Sequence, residues 1–205
     1  GTGQGRMEIL VYGKKLSAKE QQYWSVKGPW LVKKFKEVTS FGTPKGFFYS
    51  IYMYADEKQF KNVMKLDASD RAAGMTCWSD DSIIAPIHTM DIVDTMTHEM
   101  VHALQWAAYK SFPLCITEGM ADWLADSYTH STRNVRDFYH KTQVLRLAQE
   151  IKAGGFSDMK SYLTCSSYDD WKKLLGIKWR GYCIGAMLCD YLFTHHQVWF
   201  GRALQ

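Results

Sequence analysis

The chain contains 205 residues, 46% of them hydrophobic and 15% aromatic, a composition that can build a sizeable core and excludes a disordered chain. The formal net charge of +4 is spread along the sequence in short clusters, whereas nucleic-acid binding favours long basic blocks, so we expect no nucleic-acid partner. No apolar run approaches the roughly 18 residues of a membrane-spanning helix, so we expect no membrane span.

The first part of the chain predicts a strand followed by helices. Residues 7–12 are typical of a strand, and Ser17 with Glu20 three residues later predicts a helix that begins with a capping box. Pro29 interrupts this helix, so we predict a separate helix over residues 30–38.

Three further strands and a short helix are predicted next. Residues 47–54 are aromatic or β-branched almost throughout and indicate the clearest strand, and Asp56 begins a short helix. Residues 74–78 and 82–85 indicate two short strands joined as a hairpin. We therefore expect a small mixed sheet with helices in the N-terminal part.

The stretch from His98 to His102 carries the main chemical signal. Two histidines four residues apart lie on the same face of a helix, so both imidazoles can bind one zinc ion. Glu99 is rotated roughly 100° from His98 around the helix and cannot be a ligand, but it can reach the zinc-bound water as a general base.

A third protein ligand would leave the fourth zinc position open for water and substrate. We predict that the histidine helix begins at Thr89 or Asp91 and ends near Lys110. Glu118 is the candidate third ligand, because it opens a second predicted helix over residues 118–128.

The remaining sequence predicts helices. Residues 135–151 and 171–175 are expected to be helical, and residues 181–194 predict a helix that is apolar on most faces and hence largely buried.

This order of elements predicts an α+β fold with a helical C-terminal part. We expect a single catalytic domain over residues 1–205, with a strand-rich lobe over about residues 1–88 and a helical lobe over about 89–205.

The pattern His98-Glu99-x-x-His102 followed by Glu118 resembles the gluzincin metallopeptidases, the peptidase MA-like superfamily of thermolysin and aminopeptidase N. The resemblance covers about residues 74–192. It implies a zincin-like fold and one zinc ion per chain bound by the two histidines and Glu118. It also implies a polypeptide substrate that is hydrolysed with Glu99 as the general base.

The resemblance implies two further roles. Asp122 stands where thermolysin-like enzymes have a carboxylate bonded to the first zinc histidine, and the alternative is a solvated helix carboxylate. Tyr182-Cys-Ile-Gly-Ala is similar to the aminopeptidase N stretch in which the tyrosine hydroxyl stabilises the tetrahedral intermediate. A core tyrosine is the alternative, and His195 or His196 are rivals because thermolysin relatives use a downstream histidine.

Gluzincins also place an edge strand beside the active-site helix, where the substrate backbone pairs with it. The candidate here consists of Gly74, Met75, Thr76 and Cys77, followed by Trp78. Aminopeptidase N relatives carry a glutamate near this strand to hold the substrate amino terminus. This stretch has none, which favours an endopeptidase or a specific processing protease.

Two other functions fit the same residues: a zinc hydrolase acting on a non-peptide substrate, or a catalytically silent, metal-stabilised binding domain. An intact Glu99 argues against the silent domain. The five cysteines include no CxxC pair, so we expect mainly free thiols, with one or two bridges left open. No signal peptide is visible, and the compartment stays open between cytoplasmic and secreted or periplasmic after signal removal. The oligomeric state is also open.

Overall fold

The computed structural model describes residues 6–42, 47–65, 75–77, 82–86, 92–108, 112–129, 140–154, 158–176 and 178–203. Within these residues the protein is mostly helical with one small sheet, so the predicted α+β class is confirmed. Contacts divide the chain into two compact units, Gly1–Lys110 and Ser111–Gln205. The assignment of one catalytic domain with two lobes stays a prediction.

The first unit alternates strands with helices. Its elements are β1 (Arg6–Tyr12), α1 (Ala18–Thr39), β2 (Phe48–Tyr54), α2 (Glu57–Met64), β3 (Met75–Cys77), β4 (Ser82–Pro86) and α3 (Ile92–Ala108).

The predicted mixed sheet is present in the first unit. Its strand order is β1-β2-β4-β3, in which β1, β2 and β4 run parallel and β3 pairs antiparallel with β4. Along β2, Tyr49, Ile51 and Met53 are buried at every second position, which is the strand period expected for one core-facing side. β3 therefore lies at one edge of the described sheet, as its predicted role as an edge strand requires.

Helix α1 contradicts the predicted interruption at Pro29. The capping box of Ser17 and Glu20 is formed, but the helix continues through the proline to Thr39. An internal proline costs about 3 kcal/mol. Trp24, Leu31, Phe35 and Val38 are buried along one stripe that crosses the proline. Burial of each side chain stabilises the fold by about 1.5–3 kcal/mol. Together these contributions exceed the cost of the internal proline, so the helix is continuous.

Helix α3 packs against β3, β4 and α1. The predicted apolar stripe is buried at Met96, Met100, Ala103 and Leu104, which fixes the rotation of the helix. The predicted start at Thr89 or Asp91 and the predicted end near Lys110 lie outside the described residues, and the described helix ends at Ala108.

The second unit is entirely helical in its described part. Its elements are α4 (Leu114–Thr129), α5 (His140–Lys152), α6 (Met159–Thr164), α7 (Tyr168–Leu175) and α8 (Lys178–Ala203). The first residues of the predicted helix over 135–151 lie outside the described part.

Helix α4 begins one turn earlier than predicted. The Pro113 carbonyl accepts hydrogen bonds from the backbone amides of Ile116 and Thr117 at 2.9 and 3.0 Å, so the proline starts the helix. Cys115 in the added turn is fully buried, and its packing stabilises that turn. Glu118 therefore lies in the second turn of α4 and does not open the helix.

Helix α8 is longer than predicted. Its first half is buried, including Cys183, Ile184, Ala186 and Cys189. Residues 194–198 are exposed, and His196 has non-helical torsion angles, φ −139° and ψ 36°. Within the predicted range 181–194 most side chains are buried or half-buried, as expected, and the exposed residues 195–198 lie beyond the predicted end. No helix in the described part of the chain is long and apolar enough to cross a membrane.

Two glycines allow α4 and α8 to approach each other closely. A Cβ atom at Gly119 would lie 2.3 Å from the backbone carbon of Gly185, and a Cβ atom at Gly185 would lie 2.5 Å from the Cys115 carbonyl oxygen. Only glycine fits at this backbone contact, which positions Glu118 and Tyr182 on their two helices.

We expect Gly185→Ala to destabilise the protein. The new methyl group would meet backbone atoms, which cannot move aside like the end of a flexible side chain. Such overpacking costs about 1–3 kcal/mol of unfolding free energy, or more. Chemical denaturation would measure the loss.

Gly42→Ala is the matched control, because among the described residues no atom lies within 4 Å of its new methyl group. We expect its unfolding free energy to stay within about 0.5 kcal/mol of the wild type. Equal losses in the two variants would contradict the close helix contact.

Candidate metal centre

Helices α3 and α4 bury an unusual number of polar side chains. Seven polar or charged residues are buried in the described part of the chain, and five of them belong to these two helices. They are Thr97, Glu99, His102, Gln105 and Glu118. Burying a polar group costs about 1–3 kcal/mol unless it is hydrogen-bonded. Such a concentration is therefore expected at a functional site and not in an ordinary core.

The two predicted zinc histidines face each other. Their Nε2 atoms are 2.9 Å apart, and their ring planes cross at 83°. His102 Nδ1 lies 2.9 Å from Gln105 Oε1. With this amide oxygen as acceptor, Nδ1 carries the proton and donates it, so the lone pair of neutral His102 is at Nε2. Gln105 thus directs the lone pair of His102 towards His98.

Glu118 belongs to the same group of ligand atoms. One ligand atom each from His98, His102 and Glu118 lies within 4.8 Å of the others, so the group could hold a metal ion. His102 and Glu118 are buried, and His98 is half-buried. Two imidazole nitrogens and one carboxylate oxygen are the donors of many catalytic zinc sites, so the residues present fit zinc.

Glu99 receives a hydrogen bond from the edge strand. The Thr76 hydroxyl lies 2.6 Å from Glu99 Oε2 and 3.1 Å from the backbone oxygen of the same residue. Glu99 is only 9% exposed, and the threonine partly compensates the cost of burying its carboxylate. Strand β3 therefore orients the predicted general base.

Glu118 receives a hydrogen bond from a residue 50 positions away. The Tyr168 hydroxyl donates to Glu118 Oε1 at 2.5 Å. The pKa of Tyr168 is raised far above its usual range, first by desolvation and then by the charge of Glu118. Tyr182 raises the pKa of Tyr168 further, through an electrostatic interaction and a hydrogen bond between the two side chains. The phenol therefore stays protonated and acts as a donor to the carboxylate.

The other predicted site residues lie as follows. Asp122 is half-buried in α4, one turn after Glu118, and its proposed bond to a zinc histidine stays a prediction. Tyr182 is half-buried in α8 and stacks on Tyr168, with centroids 6.2 Å apart. His195 and His196 are exposed, and both rings lie against Tyr191.

Of the predicted substrate strand, Met75, Thr76 and Cys77 form β3, while Gly74 and Trp78 lie outside the described residues. The sequence interpretation missed three hydrogen-bonding roles. Gln105 offered a signal, since it lies three residues after His102 on one helix face. The partnerships of Thr76 and Tyr168 join distant parts of the chain and have no local signal.

Four of the five cysteines show no sign of a reactive thiol at this centre. Cys115, Cys165, Cys183 and Cys189 are free, as expected for most of them. Burial raises the pKa of Cys115 to about 11 and that of Cys183 to about 12. Both thiols stay protonated at neutral pH, which makes them weak nucleophiles and weak metal ligands.

Comparison with known proteins supports a peptidase. The model of the family described as "BSP: Peptidase of plants and bacteria" matches residues 80–142. The matched segment contains the two histidines, Glu99 and Glu118. It supports a peptidase-like family, which is coarser than the gluzincin superfamily that the motif resembles. No curated protein and no solved structure matches the chain.

We expect Gln105→Leu to lower the zinc affinity by about ten- to a hundredfold, because the partner that orients His102 is lost. Gln105→Glu keeps an acceptor at this position and should retain the affinity. Competition with a chromophoric chelator would measure both.

Asp122→Asn tests the predicted partner of the first zinc histidine in the same titration. If Asp122 orients a zinc histidine, its variant should show the loss. A normal affinity in Gln105→Leu would contradict the role of the amide.

Proposed function

We propose that the protein is a zinc-dependent peptidase of the gluzincin type with a zincin-like fold. The observation that carries this proposal is the grouping of His98, His102 and Glu118 within 4.8 Å, in a segment that matches a peptidase family. The proposed substrate is a polypeptide, as the family description suggests. One zinc ion per chain is expected.

The three proposed ligands would hold zinc through two imidazole nitrogens and one carboxylate oxygen. When bound, zinc would supply a Lewis acid that polarises a water molecule and the scissile carbonyl group. Gln105 keeps the proton of His102 on Nδ1, so Nε2 is the ligand atom of that imidazole. The side chain of Glu118 would supply the third donor through a carboxylate oxygen.

Glu99 is the proposed general base. It accepts a proton from the attacking water as the water oxygen bonds to the carbonyl carbon. It then donates this proton to the amide nitrogen as the carbon–nitrogen bond breaks. The Thr76 hydroxyl holds one carboxylate oxygen of Glu99 at 2.6 Å, which orients the other for the proton transfer.

Strand β3 is the proposed site of substrate pairing. It lies at an edge of the described sheet and contacts α3. An extended peptide can add to such an edge through backbone hydrogen bonds. The hydrogen bond from Thr76 would then connect the substrate-binding strand to Glu99, the proposed general base. Its stretch has no glutamate that could bind an amino terminus, so we favour an endopeptidase or a specific processing protease.

Tyr182 is the proposed donor to the oxyanion that forms when water adds to the carbonyl. It belongs to the aromatic group that surrounds Tyr168, next to Glu118. His195 and His196, the rivals for this role, are exposed and pack on Tyr191. This difference in environment favours the tyrosine.

The first test combines zinc content with Glu99→Gln. We expect about one zinc per wild-type chain after reconstitution, and the same content in the variant, because Glu99 is not a ligand. Hydrolysis should fall by several orders of magnitude, because the amide cannot accept the proton.

Mass-spectrometric mapping of cleavage sites in a proteome-derived peptide library would measure hydrolysis. Glu37→Gln, an exposed control on α1, should behave like the wild type. Undiminished cleavage by Glu99→Gln would disprove the general base. A chain that binds no zinc would refute the metallopeptidase.

The second test separates the oxyanion donors. Tyr182→Phe should lower kcat by about a hundred- to a thousandfold at saturating zinc, since its hydroxyl would act mainly once the oxyanion forms. His195→Ala and His196→Ala should turn over at nearly the wild-type rate. The opposite pattern, with normal turnover only in Tyr182→Phe, would assign the donor to a histidine.

A further inference from the structure

We propose that Tyr168 is a positioning residue for the third metal ligand, whose phenolic hydroxyl fixes the carboxylate of Glu118 in its ligating orientation. This inference rests on the proposed function, because it assumes that Glu118 binds the metal. It assigns a role to a residue outside the segment that matches the peptidase family.

The contact itself is specific. Tyr168 Oη donates to Glu118 Oε1 at 2.5 Å, so one oxygen of the carboxylate is engaged and the other can serve as the ligand atom. Glu118 is 4% exposed, whereas Tyr168 is 37% exposed. The tyrosine ring therefore reaches the surface while its hydroxyl turns inwards to a buried charge.

The backbone of Tyr168 is placed by a helix start. Ser167 is the N-cap of α7, and its hydroxyl accepts a hydrogen bond from the backbone amide of Asp170. Tyr168 is the first residue of that helix, where the cap restrains its backbone.

The ring of Tyr168 is held from two sides by other aromatic residues. Trp171 meets it edge-on at a centroid distance of 6.0 Å, and Tyr182 stacks on it at 6.2 Å with 17° between the planes. Trp171 is fully buried. It is also wedged against Gly181, where an added Cβ atom would lie 2.2 Å from the indole ring. This packing restricts rotation of Tyr168.

A restrained donor should matter for metal binding. A glutamate has several side-chain rotamers, and binding a metal requires one of them. The hydrogen bond from Tyr168 selects an orientation before the metal arrives, so less conformational entropy is lost when it binds. Partners of ligating carboxylates act in this way in other metal sites.

The same aromatic cluster provides a matched control. Tyr162 is fully buried and stacks on Trp171 from another direction, with centroids 5.7 Å apart. Its hydroxyl donates to the Gly181 carbonyl oxygen at 2.7 Å. Tyr162→Phe and Tyr168→Phe thus remove the same atom from the same cluster, but only the second deletes the donor to Glu118.

The experiment measures two quantities for the wild type, Tyr168→Phe, Tyr162→Phe and Glu118→Gln. Zinc affinity is obtained by competition with a chromophoric chelator, and the stability of the metal-free chain by thermal unfolding. We expect Tyr168→Phe to weaken zinc binding by about ten- to a hundredfold. Its metal-free Tm should also fall, because the buried carboxylate of Glu118 loses its donor. Tyr162→Phe should likewise lower the metal-free Tm, because it removes a buried hydrogen bond, but it should keep zinc affinity within about threefold.

Each outcome bears on the proposal. Wild-type affinity in Tyr168→Phe would overturn the positioning role while leaving the metal site intact. Equal losses of affinity in both tyrosine variants would also overturn it, because packing of the cluster would then explain the effect. If the wild type bound no zinc, or Glu118→Gln bound it normally, the ligand assignment in the proposed function would fail as well.

Discussion

Burial of charged and polar groups is the constraint on which this structure depends. Glu99, His102 and Glu118 are all less than one tenth exposed, and each would be costly without a partner. Their partners come from three different parts of the chain: Thr76 on the edge strand, Gln105 on the same helix, and Tyr168 at the start of α7. Each partner both offsets a burial cost and selects an orientation.

These hydrogen bonds determine which atoms of the proposed ligands are engaged and which remain available for a metal ion. Gln105 determines which nitrogen of His102 carries its proton, and Tyr168 engages one of the two oxygens of Glu118. Neither group is charged at neutral pH. They can therefore orient the proposed ligands without repelling a metal cation, as the positive charge of a lysine or arginine would.

Helix packing explains why glycine occupies two positions in the metal-site and tyrosine motifs. Gly119 comes directly after the proposed ligand Glu118, and Gly185 belongs to the Tyr-x-x-Gly-Ala stretch. In the structure these two glycines meet where α4 crosses α8, at distances that no side chain could occupy. Their role is steric, and it is the reason that Glu118 and Tyr182 lie at fixed heights on adjacent helices.

The sequence by itself determined what depends on neighbours along one helix or strand. The spacing of His98 and His102, the capping box at Ser17 and the β-branched run of β2 act locally, so the facing pair of histidines, the helix start and the strand could all be predicted. Only the tertiary structure decided that α1 continues through Pro29, because burial of a long apolar stripe outweighs the local cost. It also decided the partners of Glu99 and Glu118. Thr76 and Tyr168 lie 23 and 50 residues away from them, and contacts over such distances follow from packing and not from a local pattern.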